Sequence, residues 1–168
     1  TYLVTLTADI SGPELSIFIV NRRTAFSIYS SPISASPGAA TADNNSIGAV
    51  YPFNEGGGGG GTISTYRNAT LSVYSSHPGN NVPYIAASIF NGATNTFYYN
   101  GAAQTAVAST GNFSSTRFIV GARWESSVYN WFYNGDIAEV IVFNRGLKNE
   151  ERDSIEDYLS KKWGIKVS

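Results

Sequence analysis

Hydrophobic and polar residues alternate from the first positions of the chain. Tyr2, Val4, Leu6, Ala8 and Ile10 fall on one face, with Thr5 and Thr7 on the other, which predicts a half-buried strand over 2–10. Residues 15–20 (LSIFIV) are almost continuously apolar and β-branched, so they read as a central strand covered on both faces. Asn21-Arg22-Arg23 then supplies a polar turn, and residues 36–45 and the six glycines 56–61 read as loops. Short strand-like segments follow at 62–66, 70–74, 84–90, 95–99, 102–108, 117–123 and 137–144. His77-Pro78-Gly79-Asn80, Asn91-Gly92 and Asn100-Gly101 punctuate them. Asn-Gly between an aromatic and a small residue is a hairpin signal, because a type I′ turn needs positive φ at both central residues. So many short strands imply a two-sheet antiparallel sandwich. The similar segments 96–103 and 131–138 are two hairpin-like copies, too few for a solenoid.

The period changes at the C-terminus. Asn149 is the expected N-cap of a helix over 150–162, and Gly164 its left-handed stop. Glu150, Glu151, Asp153, Glu156 and Asp157 come early and Lys161 and Lys162 late, matching the helix dipole. Ile155, Leu159 and Trp163 recur at i, i+4 and i+8 beside Tyr158, which predicts a stripe buried on the sandwich with Trp163 in it.

Composition narrows the function classes. A chain of 168 residues, 42% hydrophobic and 14% aromatic, suits one domain with its own core. Its net charge of −1, with no cluster of Lys and Arg, argues against nucleic acid and against a basic membrane-surface stripe. No apolar run is long enough to span a bilayer, so no membrane insertion is expected. Cysteine and methionine are both absent. The first excludes disulfides and thiolate metal sites, and the second suggests a piece of a longer protein. Between Thr24 and Thr116 only Asp43, Glu55 and Arg67 carry formal charge in a Ser/Thr/Asn/Gly/Ala/Tyr-rich stretch. Such surfaces are associated with extracellular adhesins and virion fibres. Sequons at Asn44, Asn68 and Asn112 are expected by chance in so polar a stretch.

Residues 117–166 hold a more specific pattern: RFIVGAR, then NWFYNGDIAEVIVFNRGLKNEERDSIEDYLSKKWGI. Gly121, Gly135-Asp136-Ile137-Ala138-Glu139-Val140, Asn144-Arg145, Leu147, Tyr158-Leu159 and Trp163-Gly164-Ile165 together resemble the end of laminin G-like, concanavalin A-like domains. Residues 84–101 (YIAASIFNGATNTFYYNG) resemble that family's paired strands ending in Asn-Gly. The resemblance is specific over the last fifty residues, fair over 84–116 and weak before them. It implies an all-β jelly roll of two antiparallel sheets and a module that binds sugars, sulfated glycans or proteins, or decorates a larger secreted or viral protein. The C-terminal disulfide of true laminin G modules is missing. The late start leaves room for an opening strand supplied from elsewhere.

Glycoside hydrolases of the superfamily carry E-x-D-x-x-E, which is absent; Asp136-x-x-Glu139 is the nearest match and reads as local hydrogen bonding in a structural strand. His77, the one histidine, sits in a His-Pro-Gly turn and cannot support a multi-histidine metal centre. The glycine run lacks the Lys-Ser/Thr of a phosphate loop. No cofactor is expected, calcium excepted. The resemblance implies that calcium sites occur, and Asp43, Asn44 and Asn45 form an oxygen-rich loop, though an Asx turn explains the same residues. The ligand-binding candidates are Arg123, Trp124, Tyr129, Asn130 and Trp131, in a segment expected to be a loop. Aromatic faces stack on pyranose C–H surfaces, while amide and guanidinium groups meet the hydroxyls. Closure of the core, or packing on a neighbouring subunit, explains the two tryptophans equally well.

The sequence therefore predicts a non-catalytic glycan- or surface-binding module, extracellular or on a virion. A purely structural capsid or fibre domain is the alternative, and a hydrolase is disfavoured.

Overall fold

The computed structural model describes residues 4–27, 29–37, 50–55, 62–67, 70–125 and 127–168. The expected calcium loop (Asp43, Asn44, Asn45), the Asn68 sequon and the glycine run 56–61 lie outside the described residues. In chain order the strands are β1 (Val4–Gly12), β2 (Glu14–Arg23), β3 (Ser30–Ser36), β4 (Val50–Glu55), β5 (Thr62–Arg67), β6 (Thr70–Ser76) and β7 (Tyr84–Asn91). There follow β8 (Thr94–Tyr99), β9 (Ala102–Ala103), β10 (Val107–Ala108), β11 (Phe113–Val120), β12 (Arg123–Glu125), β13 (Val128–Asn130), β14 (Gly135–Phe143) and the helix α1 (Asn149–Trp163).

Two antiparallel sheets form the sandwich. One runs β1-β11-β3-β4-β5-β6; the other runs β10-β8-β7-β2-β14, with β9 added to β8. The inner faces meet in a core that includes Leu15, Ile17, Ile19, Ile33, Phe53, Tyr84, Phe90, Phe97, Phe113 and Phe118. β2 sits between β7 and β14, and its residues 15–20 are all buried, as their continuous apolarity implies. Its even positions face away from the core, where Phe18 and Val20 join Leu147, Leu159 and Ile165 in a second apolar layer under α1. Tyr98 belongs to that outer layer while Tyr99 packs on the inner core, the opposite facing that adjacent strand residues require. Asn100 and Gly101 both adopt positive φ, 45° and 83°, in the tight turn joining β8 to β9.

Three differences from the sequence reading have physical causes. β3 and β4 contain Pro32 and Pro52 and no alternating pattern, yet both are strands. Their pairings are irregular around the prolines, where a ladder tolerates a missing N–H. All seven positions of β3 are buried although four are serine. Ser31 and Ser34 satisfy their hydroxyls on the carbonyls of Ile33 and Ala122, both at 2.9 Å. The stretch 102–108 is two short strands, Ala102–Ala103 and Val107–Ala108, not one. And residues 123–130, expected as a loop, are the β12–β13 hairpin.

The helix is docked differently from its apolar periodicity. Asn149 is its first residue, and the preceding Lys148 takes the N-cap position, its N–H donating to Glu151 at 2.9 Å. Gly164 ends it in the left-handed conformation, φ 67°. Leu159 is buried and Ile155 partly so, but Trp163 is 40% exposed and Tyr158 is 45% exposed. Trp163 therefore stands at the rim, and Ile165, beyond the helix, takes the buried place expected for it. The sheet-facing stripe also includes Glu156, only 3% exposed. Burial pushes its carboxyl up to about 7, against the pull of the Arg152 Nε at 3.3 Å.

A testable pH dependence follows. The folded state holds the Glu156 proton that the unfolded chain releases near 4.5. Its contribution to stability is therefore complete below about 4.5 and is lost as pH rises through about 7. Glu156→Gln, which keeps the neutral shape, should be more stable than wild type at pH 8 by on the order of 1–3 kcal/mol and equal to it at pH 4. Denaturant midpoints of both proteins across that range check it; parallel curves would refute it.

Candidate functional site

The β12–β13 hairpin is anchored at its base before any aromatic side chain is considered. β11 is followed by Gly121, whose φ is 87°; its N–H donates to the Pro32 carbonyl and its carbonyl accepts from the Tyr133 N–H, both at 2.8 Å. The chain then turns into β12, and β13 returns with Arg123 opposite Asn130 and Trp124 opposite Tyr129. Directly opposed aromatic side chains stabilise a short hairpin. The Trp124 and Tyr129 rings meet edge to face at 4.8 Å, and the Arg117 guanidinium lies 4.3 Å from the Trp124 ring.

Trp131 follows with φ 51°, a backbone conformation that a bulky residue adopts only when its surroundings impose it. Three contacts do so. Its carbonyl accepts from the Ser31 N–H at 3.0 Å. The Arg123 guanidinium lies 3.7 Å from the ring centroid, and the Tyr29 ring stacks at 4.5 Å and 13°. Two groups this close to one ring must occupy opposite faces, since on the same face they would overlap. The order is thus Arg123, Trp131, Tyr29, from inside outward. Arg123 is 2% exposed and Tyr29 49%, so the indole is sandwiched and the outermost ring is tyrosine.

Neighbouring segments widen this aromatic end. Thr24 N–H donates to the Asn134 carbonyl at 2.9 Å, as the Ser31 N–H does to the Trp131 carbonyl, which brings Thr24 and Ser31 against 131–134. Phe26, at 50% exposure, is backed by the Arg23 guanidinium 5.4 Å from its ring, and Phe132 and Val128 are also exposed. Arg23 is itself buried and donates to Asn80 at 3.0 Å. A cation beneath an aromatic ring holds the ring in place and raises the local positive potential without occupying the surface.

Of the five sequence candidates, Trp124, Tyr129, Asn130 and Trp131 are half-buried in one hairpin, and Arg123 lies beneath them. The Arg123 guanidinium is buried against the Trp131 ring. Tyr29, Phe26 and Phe132 complete the surface; the first two come from a connector far away in sequence, and no local pattern marks them.

The candidate acids are occupied. Asp136 accepts from Arg22 Nη2 at 2.5 Å. Glu139 accepts from Trp163 Nε1 at 2.6 Å and from Lys162 and Tyr158, each at 3.1 Å. Burial pushes its carboxyl up, but those hydrogen bonds outweigh it and hold Glu139 below the usual range, opposite to what a general acid needs. His77 is a turn residue: its Nδ1 accepts from the Gly79 N–H at 3.1 Å and its ring meets Tyr84 edge-on at 5.6 Å. Among the described residues no group of three or more His, Asp or Glu side chains could hold a metal ion, and no helix is long and apolar enough to cross a membrane.

No family model and no curated protein sequence matches the chain. Solved structures do. The CBM40 of Ruminococcus gnavus IT-sialidase, bound to alpha2,3 sialyllactose, superposes with a TM-score of 0.69 at 12% identity, over 86% of this chain and 82% of that one. A heptameric SAP-like pentraxin from Limulus polyphemus gives 0.65 at 10% identity, over 92% and 75%. NanB sialidase from Streptococcus pneumoniae gives 0.64 at 15% identity, over 85% of this chain but only 24% of its own length. Together with the antiparallel topology, these likenesses show the fold: an all-β jelly-roll sandwich of two antiparallel sheets with one C-terminal helix.

Proposed function

We infer that the chain is a non-catalytic glycan-binding module, displayed outside a cell or on a particle. The observation that carries this is the Arg123–Trp131–Tyr29 stack, a rigid column ending in a half-exposed aromatic face. An aromatic side chain held flat by packing loses little entropy when a pyranose stacks on it, and exposed Phe26 and Phe132 extend the platform. Trp124, Tyr129 and Asn130 flank the column, and Arg123 supports it from within. Among the similar folds is a carbohydrate-binding module bound to sialyllactose, which supports the ligand class and suggests sialylated glycans as the first probes. Engagement of Asp136 and Glu139 in local bonds supports the non-catalytic part of the reading.

Binding to an array of sialylated and neutral glycans tests it. Tyr29→Ala should weaken any bound glycan by about 1–3 kcal/mol, the range for one lost aromatic stack, and leave the thermal midpoint nearly unchanged because the ring is half exposed. A wild-type protein that binds nothing, or a Tyr29→Ala protein that binds as before, overturns this reading.

A second reading rests on the same exposed apolar side chains. Phe26, Tyr29, Val128 and Phe132 are each about half exposed at one end of the sandwich, and a fibre or capsid neighbour would bury them. Light scattering separates the two: a self-associating wild type that Phe132→Ser turns monomeric, with no glycan bound, favours the structural role.

A further inference from the structure

The two halves of the C-terminal sequence motif meet on the outer face of the β2–β14 pair, and they leave a groove of about 280 Å³ between them. Its lining includes Arg22, Pro83, Asp136, Ala138, Trp163 and Ile165. We propose that this groove is a second ligand site, for one neutral pyranose ring, with Trp163 as the stacking face and the Arg22–Asp136 pair as the hydroxyl-binding group.

Four features lead to that occupant. First, Trp163 is 40% exposed at the end of a helix whose Leu159, one turn earlier, is buried, and its indole is immobilised by the 2.6 Å bond from Nε1 to Glu139 Oε2. The same carboxylate receives Lys162, whose Nζ lies 5.5 Å from the indole ring. Stability explains the bond but not the open face. Second, Ala138, Pro83 and Ile165 give the groove apolar walls of the kind that meet sugar C–H groups. Third, Arg22 donates through both Nε, at 3.0 Å, and Nη2, at 2.5 Å, to the single oxygen Oδ2 of Asp136. The other carboxylate oxygen and Nη1 have no protein partner among the described residues, and the pair is exposed at 46% and 61%. A fixed acceptor beside a fixed donor suits two vicinal hydroxyls. Fourth, the pair is neutral as a unit. It offers no net charge to hold an anion or a cation, which selects an uncharged polyol. The volume is at the small end for ligand pockets and fits one ring, not an extended oligosaccharide.

This site is separate from the Tyr29 column, so each can fail alone. The test is a titration of the ¹⁵N-labelled protein with methyl glucoside, galactoside and mannoside, followed at the three indole N–H resonances, which Trp163→Phe assigns. The Trp163 indole should shift and saturate at a roughly millimolar concentration, as expected for a ligand of this size. Asp136→Ala and Arg22→Ala should each weaken that binding about tenfold or more. An exposed ion pair contributes little to folding, so these variants remain folded. A Trp163 resonance that stays fixed with all three sugars overturns the proposal, as does a shift that persists unchanged in both variants. A response at Trp124 or Trp131 alone overturns the groove and leaves the aromatic end standing.

Discussion

Replacing Gly135 with alanine should lower the stability of the sandwich by about 3 kcal/mol or more, the upper range for overpacking. A Cβ at this position would lie 2.3 Å from the Arg22 carbonyl oxygen and 2.9 Å from the Arg23 Cα, and both are backbone atoms of a central strand. It would also lie 2.8 Å from Cε1 of Tyr133. That ring cannot retreat, because Tyr133 is 2% exposed and its hydroxyl accepts from Asn21 Nδ2 at 2.7 Å. Relief requires β14 to move away from β2 at the point where their ladder starts, between Gly135 and Arg23. The loss should appear as a lower denaturant midpoint with an unchanged slope, since the folded surface is otherwise the same. Coincident midpoints for variant and wild type would show that the strands are not in this close contact.

The glycine of the Gly-Asp-Ile-Ala-Glu-Val stretch could be quoted from the sequence, but its reason could not. Period-2 patterning says nothing of how closely two backbones approach. The same boundary separates what was legible from what was not elsewhere in the molecule. β2, β7 and β14 were readable because their apolar content is high and local. The β8–β9 turn was readable because Asn-Gly encodes two positive φ values within two residues. β3 was invisible because four of its seven buried positions are serine, and Ser34 finds its partner in the Ala122 carbonyl, far away in sequence.

The candidate site shows the same limit. Trp124 and Tyr129 form a cross-strand pair that the sequence spacing permits, and Arg123 and Trp131 come from the same segment. The loop expected there is a hairpin because Ser127 takes a positive φ, 67°, a conformation polar turn residues tolerate but do not announce. Tyr29 enters only through tertiary structure, by way of the bond from the Ser31 N–H to the Trp131 carbonyl. Trp131 has the Arg123 guanidinium and the Tyr29 ring against it, so of the two explanations the sequence left open for this tryptophan, packing accounts for these contacts.

The helix offers the second large effect, and it separates two side chains that periodicity treats alike. Leu159 is 1% exposed, in the outer layer with Phe18, Ile85, Ala87 and Ile165, whereas Trp163 keeps 40% of its surface in water. Leu159→Ala removes apolar area and leaves a cavity between two layers that cannot collapse onto one another, at a cost of about 2–5 kcal/mol. Trp163→Ala loses one hydrogen bond to an accessible carboxylate and part of an indole's burial, about 1–2 kcal/mol. The order of the two effects is thus the reverse of side-chain size. Because α1 is held mainly by this layer, Leu159→Ala should also loosen the helix before the sandwich unfolds. Amide hydrogen exchange should then speed up across residues 150–163 while β2 and β7 remain protected. Equal denaturant midpoints for the two variants, or a larger loss for Trp163→Ala, would mean that the indole and not the leucine seats the helix.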